Sequence, residues 1–404
     1  MSKNWYVRSF IFFMSILANA ETIDDRINED IKKIHEIEKG INYDKILKDP
    51  DEIIIENEEN ISAELNKDFT LSKKLKIDLK KGKKQNSLKI INNANILTDE
   101  ELFKWDKDEH DKVKQDMNLI YIVNNKKIET TEYDLIKLYS KNIYFKNSKN
   151  AIINNFESDE YSTGFDILSK ELAVLDNEGT IYSNISIGLP KSISFINRKT
   201  GKIYSNSSIM LSNSENLNFK NEGKIVYDKY NELIITMEAS ERVDIVNSGE
   251  INAQTLNIRI GDNGNGQTLY ANNSKGNFLN TKTGIIKSMG FTYVTGQINF
   301  KNFGIMEIGP YDFGIIGLTG LIENNGIIKG NLEIGRSEDV KKLQPLRVNL
   351  QNGTLEGDLA FYGGNINETI VTIKSMNNVT GILDSTRGYN DTLRLIGSDT
   401  VNNK

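Results

Sequence analysis

The 404-residue chain has no cysteine, two histidines, two tryptophans and four prolines, and each shortage removes a class of explanation. Without cysteine there are no disulfides, no thiolate nucleophile and no lipobox anchor. His35 and His110 both precede residue 119, so the rest of the chain has none for a Ser-His-Asp triad, and neither GxSxG nor HExxH occurs. Zinc lacks both thiolates and a paired histidine. A net charge of -6 gives no broad attraction for nucleic acid or anionic lipid. Long apolar runs are missing too. The best, of about eight residues within 10–17, is far below the roughly 20 a transmembrane helix needs.

That short run reads instead as part of a signal peptide. Lys3 and Arg8 supply positive charge, Phe10 to Leu17 an apolar core, and Ala18-Asn19-Ala20 a small-x-small cleavage site before Glu21. Residues 1–20 are therefore expected to direct export, placing the mature protein at the cell surface, in the outer membrane or outside the cell.

What the chain has in abundance is a repeated phrase: an apolar residue, a spacer, Asn, a variable gap, Gly and a strand-like stretch. Its eight copies pair Asn177 with Gly179, Asn197 with Gly201, Asn221 with Gly223, Asn247 with Gly249, Asn280 with Gly284, Asn302 with Gly304, Asn324 with Gly326, and Asn352 with Gly353. Successive glycines are 22, 22, 26, 35, 20, 22 and 27 residues apart, the signature of a stacked repeat. Asn tolerates left-handed backbone and Gly adopts positive φ freely, so the phrase predicts a turn between two short strands. Equivalent Asn side chains one coil apart, at about 4.8 Å, can also form an amide ladder. One coil buries four or five aliphatic side chains, at roughly 2 kcal/mol each, against an ordering cost near 1.5 kcal/mol for each of about 22 residues. Coils must therefore stack.

The expected fold is all-β, a right-handed parallel β-helix over residues 119–404, preceded by a charged, mainly helical spacer over 21–118. In the spacer, Ile23, Ile27, Ile31, Ile34 and Ile41 mark an amphipathic helix, with Thr22 and Asp25 as a capping box and Gly40 as its stop. A second helix is expected from Thr98 and Glu101 through Met117. Two polar interruptions of the repeat, at 261–277 and 336–345, project from the solenoid edge and are the expected recognition loops.

Acid-only chemistry has candidates in Glu157, Asp159, Glu160 and Asp358, which suit a carboxylate-based glycosidase or lyase if two lie close together. Nothing in the spacing brings them to one coil face, so no catalytic residue is assigned and the protein is expected not to be an enzyme. Isolated glycine-aspartate turns at GDNGNGQTL and GYNDTLRL lack the tandem copies a calcium site of that kind shares. No metal or cofactor is expected.

The signal peptide, the coils of the IENNGIIKGNLEIG type (322–335) and the late GYNDTLRLIG (388–397) resemble the passenger of a type V autotransporter, across roughly residues 175–397. The resemblance implies a right-handed β-helix displayed outside the outer membrane as an adhesin or other virulence-associated protein. It further implies export machinery and an outer-membrane β-barrel, which this chain does not encode. The partner is then a host or bacterial surface protein or glycan, with no nucleic acid and no transmembrane helix. A glycan-active β-helix enzyme and a purely structural stalk are the alternatives.

Overall fold

From Lys45 onward, the strands of the computed structural model stack in parallel, each on its counterpart one coil away. The structure describes residues 22–396 except 56–58, 69–75, 80–85, 99–102, 105–116, 131–134, 156–163, 228–232, 261–273, 289–291, 310–312, 337–345, 364–368 and 388–391. Every strand pairing among them is parallel, as a β-solenoid requires, since a parallel neighbour is reached only by a full circuit of the chain.

Each regular coil has three sides. The long strand Phe165–Asn177 is bent near its middle, so its first half pairs with Ile185–Gly188 and its second with Ser192–Asn197. After the Asn turn, Thr180–Tyr182 pairs with Lys202–Ser205 to form the third side. That side belongs to an 11-stranded ladder running from Ile96–Thr98 to Thr354–Glu356. At about 4.8 Å per step, ten steps make a stack about 48 Å long.

Side chains alternate inward and outward along each strand, which explains the interior. The middle residue of each short strand points in, giving a buried column that includes Ile153, Ile181, Ile203, Ile225, Ile251 and Ile286. On the second side, Phe195 stacks on Phe219 at 5.1 Å and Phe278 on Phe300 at 4.6 Å between ring centroids. Parallel in-register pairing forces like onto like, so aromatic rings from successive coils meet in offset stacks.

Solenoid pairing starts at Lys45 rather than at residue 119. Lys45–Lys48, Asn60–Leu65, Ser87–Asn92 and Leu119–Asn124 stack in that order, and Ile61, Ala63, Leu65, Leu88 and Ile90 are buried in the same core as the later coils. The described residues of 22–118 thus form one helix followed by early coils. Of the expected second helix, Thr98 closes a strand and Phe103–Lys104 is a strand; most of the remainder lies outside the described residues. The expected first helix is present as α1, Ile23–Lys39, with the Thr22 and Asp25 capping box closed in both directions and Gly40 at its C-terminus. No helix among the described residues is long and apolar enough to cross a membrane.

Candidate functional site: the amide ladder, the strapped face and its groove

The Asn residues of the repeated phrase line up inside the stack. Asn177 Nδ2 donates to Asn197 Oδ1 at 2.9 Å, Asn197 to Asn221 at 2.8 Å, and Asn221 to Asn247 at 2.8 Å. The series continues through Asn280 and Asn302 to Asn324. The same Nδ2 groups face backbone carbonyls of the next coil, Asn197 to Lys224 at 3.1 Å and Asn324 to Thr354 at 3.0 Å. Each ladder Asn is fully buried, so this pairing is what makes burial of the amides tolerable.

Two details differ from the expected ladder. Asn352 lies outside it: the next rung after Asn324 is the buried Leu350, while Asn352 Nδ2 donates to Asn325 Oδ1 at 3.1 Å on the outside. The ladder also begins earlier, with Asn92 donating to Asn124, Asn124 to Asn147 and Asn147 to Asn177. These three are not followed by the phrase's Gly. Their signal in the sequence is Asn after an alternating apolar run, with Ala94 and Ala151 near the later glycine positions.

The glycines serve a different purpose from the expected one. Among described residues the only positive-φ glycines are Gly320 and Gly330, so Gly179, Gly201, Gly223, Gly249, Gly284, Gly304, Gly326 and Gly353 are not left-handed. They are required by close approach. A Cβ on Gly223 would sit 2.1 Å from the Gly201 carbonyl oxygen, and one on Gly249 2.0 Å from that of Gly223. Successive turns rest directly on one another's backbone.

The outer face of the second side carries α1. The helix runs along the solenoid axis, opposite to the direction of coil addition. Near its start, Arg26 donates through Nη2 to Asp244 at 2.6 Å and through Nε to Asn218 at 3.1 Å. One turn later Asp30 accepts from Ser192 Oγ at 3.0 Å and Ser194 Oγ at 2.7 Å. Near its end, His35 lies 5.2 Å from the Tyr144 ring and accepts or donates at 3.3 Å with Tyr121, and Glu38 pairs with Lys89 at 2.6 Å. From the Asp244 rung to the Lys89 rung is six steps, about 29 Å. Seventeen helical residues cover about 25 Å, and the inward positions Ile27, Asp30, Ile34 and Ile37 recur every three or four residues. Helix and solenoid therefore stay nearly in step, with about three helix residues, one of them facing inward, for each rung.

Burial beneath the helix perturbs several groups. Loss of solvent raises the Asp30 carboxyl above the ordinary carboxylate value despite the two serine donors, and lowers the His35 imidazole. The Tyr121 phenol is pushed up to about 12 by burial and the nearby Glu38 charge.

Along one flank of α1 lies an open groove of about 840 Å³. Its helix wall carries Asp30, Lys33, Glu36 and Ile37, and its other wall is built from the bends of four successive coils, at Lys141-Asn142, Glu171-Leu172, Lys191-Ser192 and Glu215-Asn216.

The remaining sequence candidates do not converge on this region. Of the interruptions expected at 261–277 and 336–345, residues 261–273 and 337–345 lie outside the described residues, as do Glu157, Asp159, Glu160 and His110, while Lys275, Gly276, Asn277 and Arg336 belong to ladder strands rather than to loops. Asp358 Oδ1 accepts the Ile382 backbone N–H at 2.7 Å, the role of a turn residue. Sequence reasoning missed the groove because it is made by packing a helix near the N-terminus against coils up to 190 residues away. Comparison with known protein families, curated proteins and solved structures finds no match to this chain.

Proposed function

We propose that the protein is an exported, non-enzymatic β-solenoid of the adhesin type, a rigid rod that presents recognition surfaces at the cell exterior as autotransporter passengers do. The observation that supports this reading best is the continuity of the scaffold. Ten asparagines are linked in one internal amide ladder from Asn92 to Asn324, and the interior beside them is aliphatic and aromatic. A stack so paired resists bending and leaves its outer faces and edge loops free to vary. His35, the histidine among the described residues, is committed to contacts with Tyr121 and Tyr144, which suits a structural part better than proton transfer.

The test is gain of function. Displayed on a non-adherent bacterium through a heterologous outer-membrane anchor, the chain is expected to increase attachment to host or bacterial surfaces, and the purified protein to block it. Attachment equal to that of the empty anchor would reject the reading. N-terminal sequencing of exported protein checks the leader, with Glu21 as the expected first residue.

A further inference from the structure

We propose that the groove beside α1 binds a neutral oligosaccharide lying along the solenoid axis, about one sugar for each of its four rungs. The proposal rests on the reading of the protein as a surface recognition scaffold and names a ligand class for it.

The size and shape come first. A volume of about 840 Å³ is that of a ligand site, and the groove is elongated because one wall is a helix and the other a row of coil bends. Successive bends are spaced at about 4.8 Å, close to the length of one pyranose ring. A linear glycan laid here meets one coil bend at each sugar.

The chemistry selects the class. Along the coil wall the charges alternate in rung order, Lys141, Glu171, Lys191 and Glu215, and along the helix wall Lys33 is followed by Glu36. These six cancel, and Asp30, its carboxylate already satisfied by Ser192 and Ser194, adds no cation. A polyanion such as nucleic acid or a sulfated glycan finds no net positive field, and a lipid finds no continuous apolar surface. Sugar hydroxyls both donate and accept, so they suit ammonium donors alternating with carboxylate acceptors. Asn216 adds an amide that both donates and accepts, and the half-buried Ile37 supplies an apolar patch for the C–H faces of the rings.

The groups are also held in place. Lys191 and Glu171 pair at 2.9 Å, and Lys33 pairs with Glu29 at 3.2 Å. Glu171 and Lys191 stand at bends of strands that the ladder holds in register, and Lys33 stands on α1. The backbone of both walls is therefore ordered before binding, which favours recognition of a weakly interacting ligand.

The experiment is calorimetric titration of the full mature chain with cellotetraose, chitotetraose and maltotetraose, alongside a heparin tetrasaccharide and an alternating Lys-Glu peptide. The groove variant carries Lys141→Ala with Glu215→Ala, and a control variant carries Glu307→Ala with Lys329→Ala on the third side of the coil. Saturable binding of at least one neutral tetrasaccharide is expected, weakened about tenfold or more in the groove variant and unchanged in the control. No binding by any of the three, binding unaffected by the groove variant, or binding of heparin or peptide instead would overturn the proposal. The two readings fail separately. A silent titration with intact cell attachment removes the groove alone, and a positive titration without attachment removes the adhesin reading alone.

Discussion

The outer face of the solenoid's second side is one surface with two characters. From Leu119 to Ile196 its outward positions include Leu119, Tyr121, Tyr144, Leu172, Val174 and Ile196, all buried beneath α1. Beyond the Asp244 rung, past the N-terminus of the helix, the corresponding positions are Asn277, Asn299, Leu321 and Arg347. The strands are the same in geometry and pairing. What changes is the cover, so the outward residues of a coil report what lies on it rather than how it folds. The transition is graded: under the N-terminal half of α1 the contacts become polar, through Ser194, Asn218 and Asp244, and the outward ladder then continues as Asn277 to Asp244 and Asn299 to Asn277.

Substitutions should separate the two regions in order of size. Tyr144→Ala removes a ring buried against Tyr121 and His35 and is expected to cost about 3 kcal/mol in urea unfolding monitored over the helix. Asn299→Ala, at the same outward position on an uncovered rung, is expected to stay within about 0.5 kcal/mol. Equal costs at the two sites would mean that the helix does not cover the face. Arg26→Ala should cost about 2 kcal/mol, because it strips one partner from the buried Asp244; the loss is limited because Arg242 also bonds that carboxylate.

Within the covered region, His35 and Asp30 contribute to the pH response with opposite signs. His35 has a folded value below its unfolded one, so its imidazole weakens docking as pH falls from about 6.5 through the lowered value. Asp30 is raised above its unfolded value, so its charge opposes folding at neutral pH, and that cost disappears as pH falls below the unfolded value. Asp30→Asn is therefore expected to stabilise helix docking at pH 7 and to lose that advantage in acid. His35→Gln should flatten the weakening just below pH 6.5. Thermal melts across pH check both, and an Asp30→Asn variant less stable at pH 7 would contradict the assignment. The third side, also uncovered, should respond weakly: Lys329→Ala, breaking an exposed pair with Glu307 at 3.0 Å, should change stability by less than about 1 kcal/mol.

The same comparison explains what could be read from the sequence. The spacing of Asn197 and Gly201, Asn221 and Gly223, and their successors gave the coil period, because a repeated turn imposes a repeated residue. It did not give the glycines' reason, since close approach of Gly223 to the Gly201 carbonyl is a property of two stacked turns and of neither alone. The coils before residue 119 were hidden because Asn60–Leu65 and Ser87–Asn92 stand in charged text, and Asn92 lacks the following Gly. At Leu119–Asn124 the in-out alternation is also lost, since Leu119 and Tyr121 are buried on the outside. The helix itself was legible from its isoleucines and capping box. Its docking partners were not, because nothing local to Arg26 or Asp30 points to Asp244 or Ser194.

That docking is the account's central claim, and amide hydrogen exchange over residues 23–39 tests it most directly. A 17-residue helix is marginal in water on its own, so slow exchange there requires the solenoid beneath it. The structure predicts protection of the Ile27 to Ile37 amides by about a thousandfold or more, equivalent to roughly 4 kcal/mol, and its loss in Tyr144→Ala. Exchange in the unaltered protein at the rate of a free peptide would contradict it.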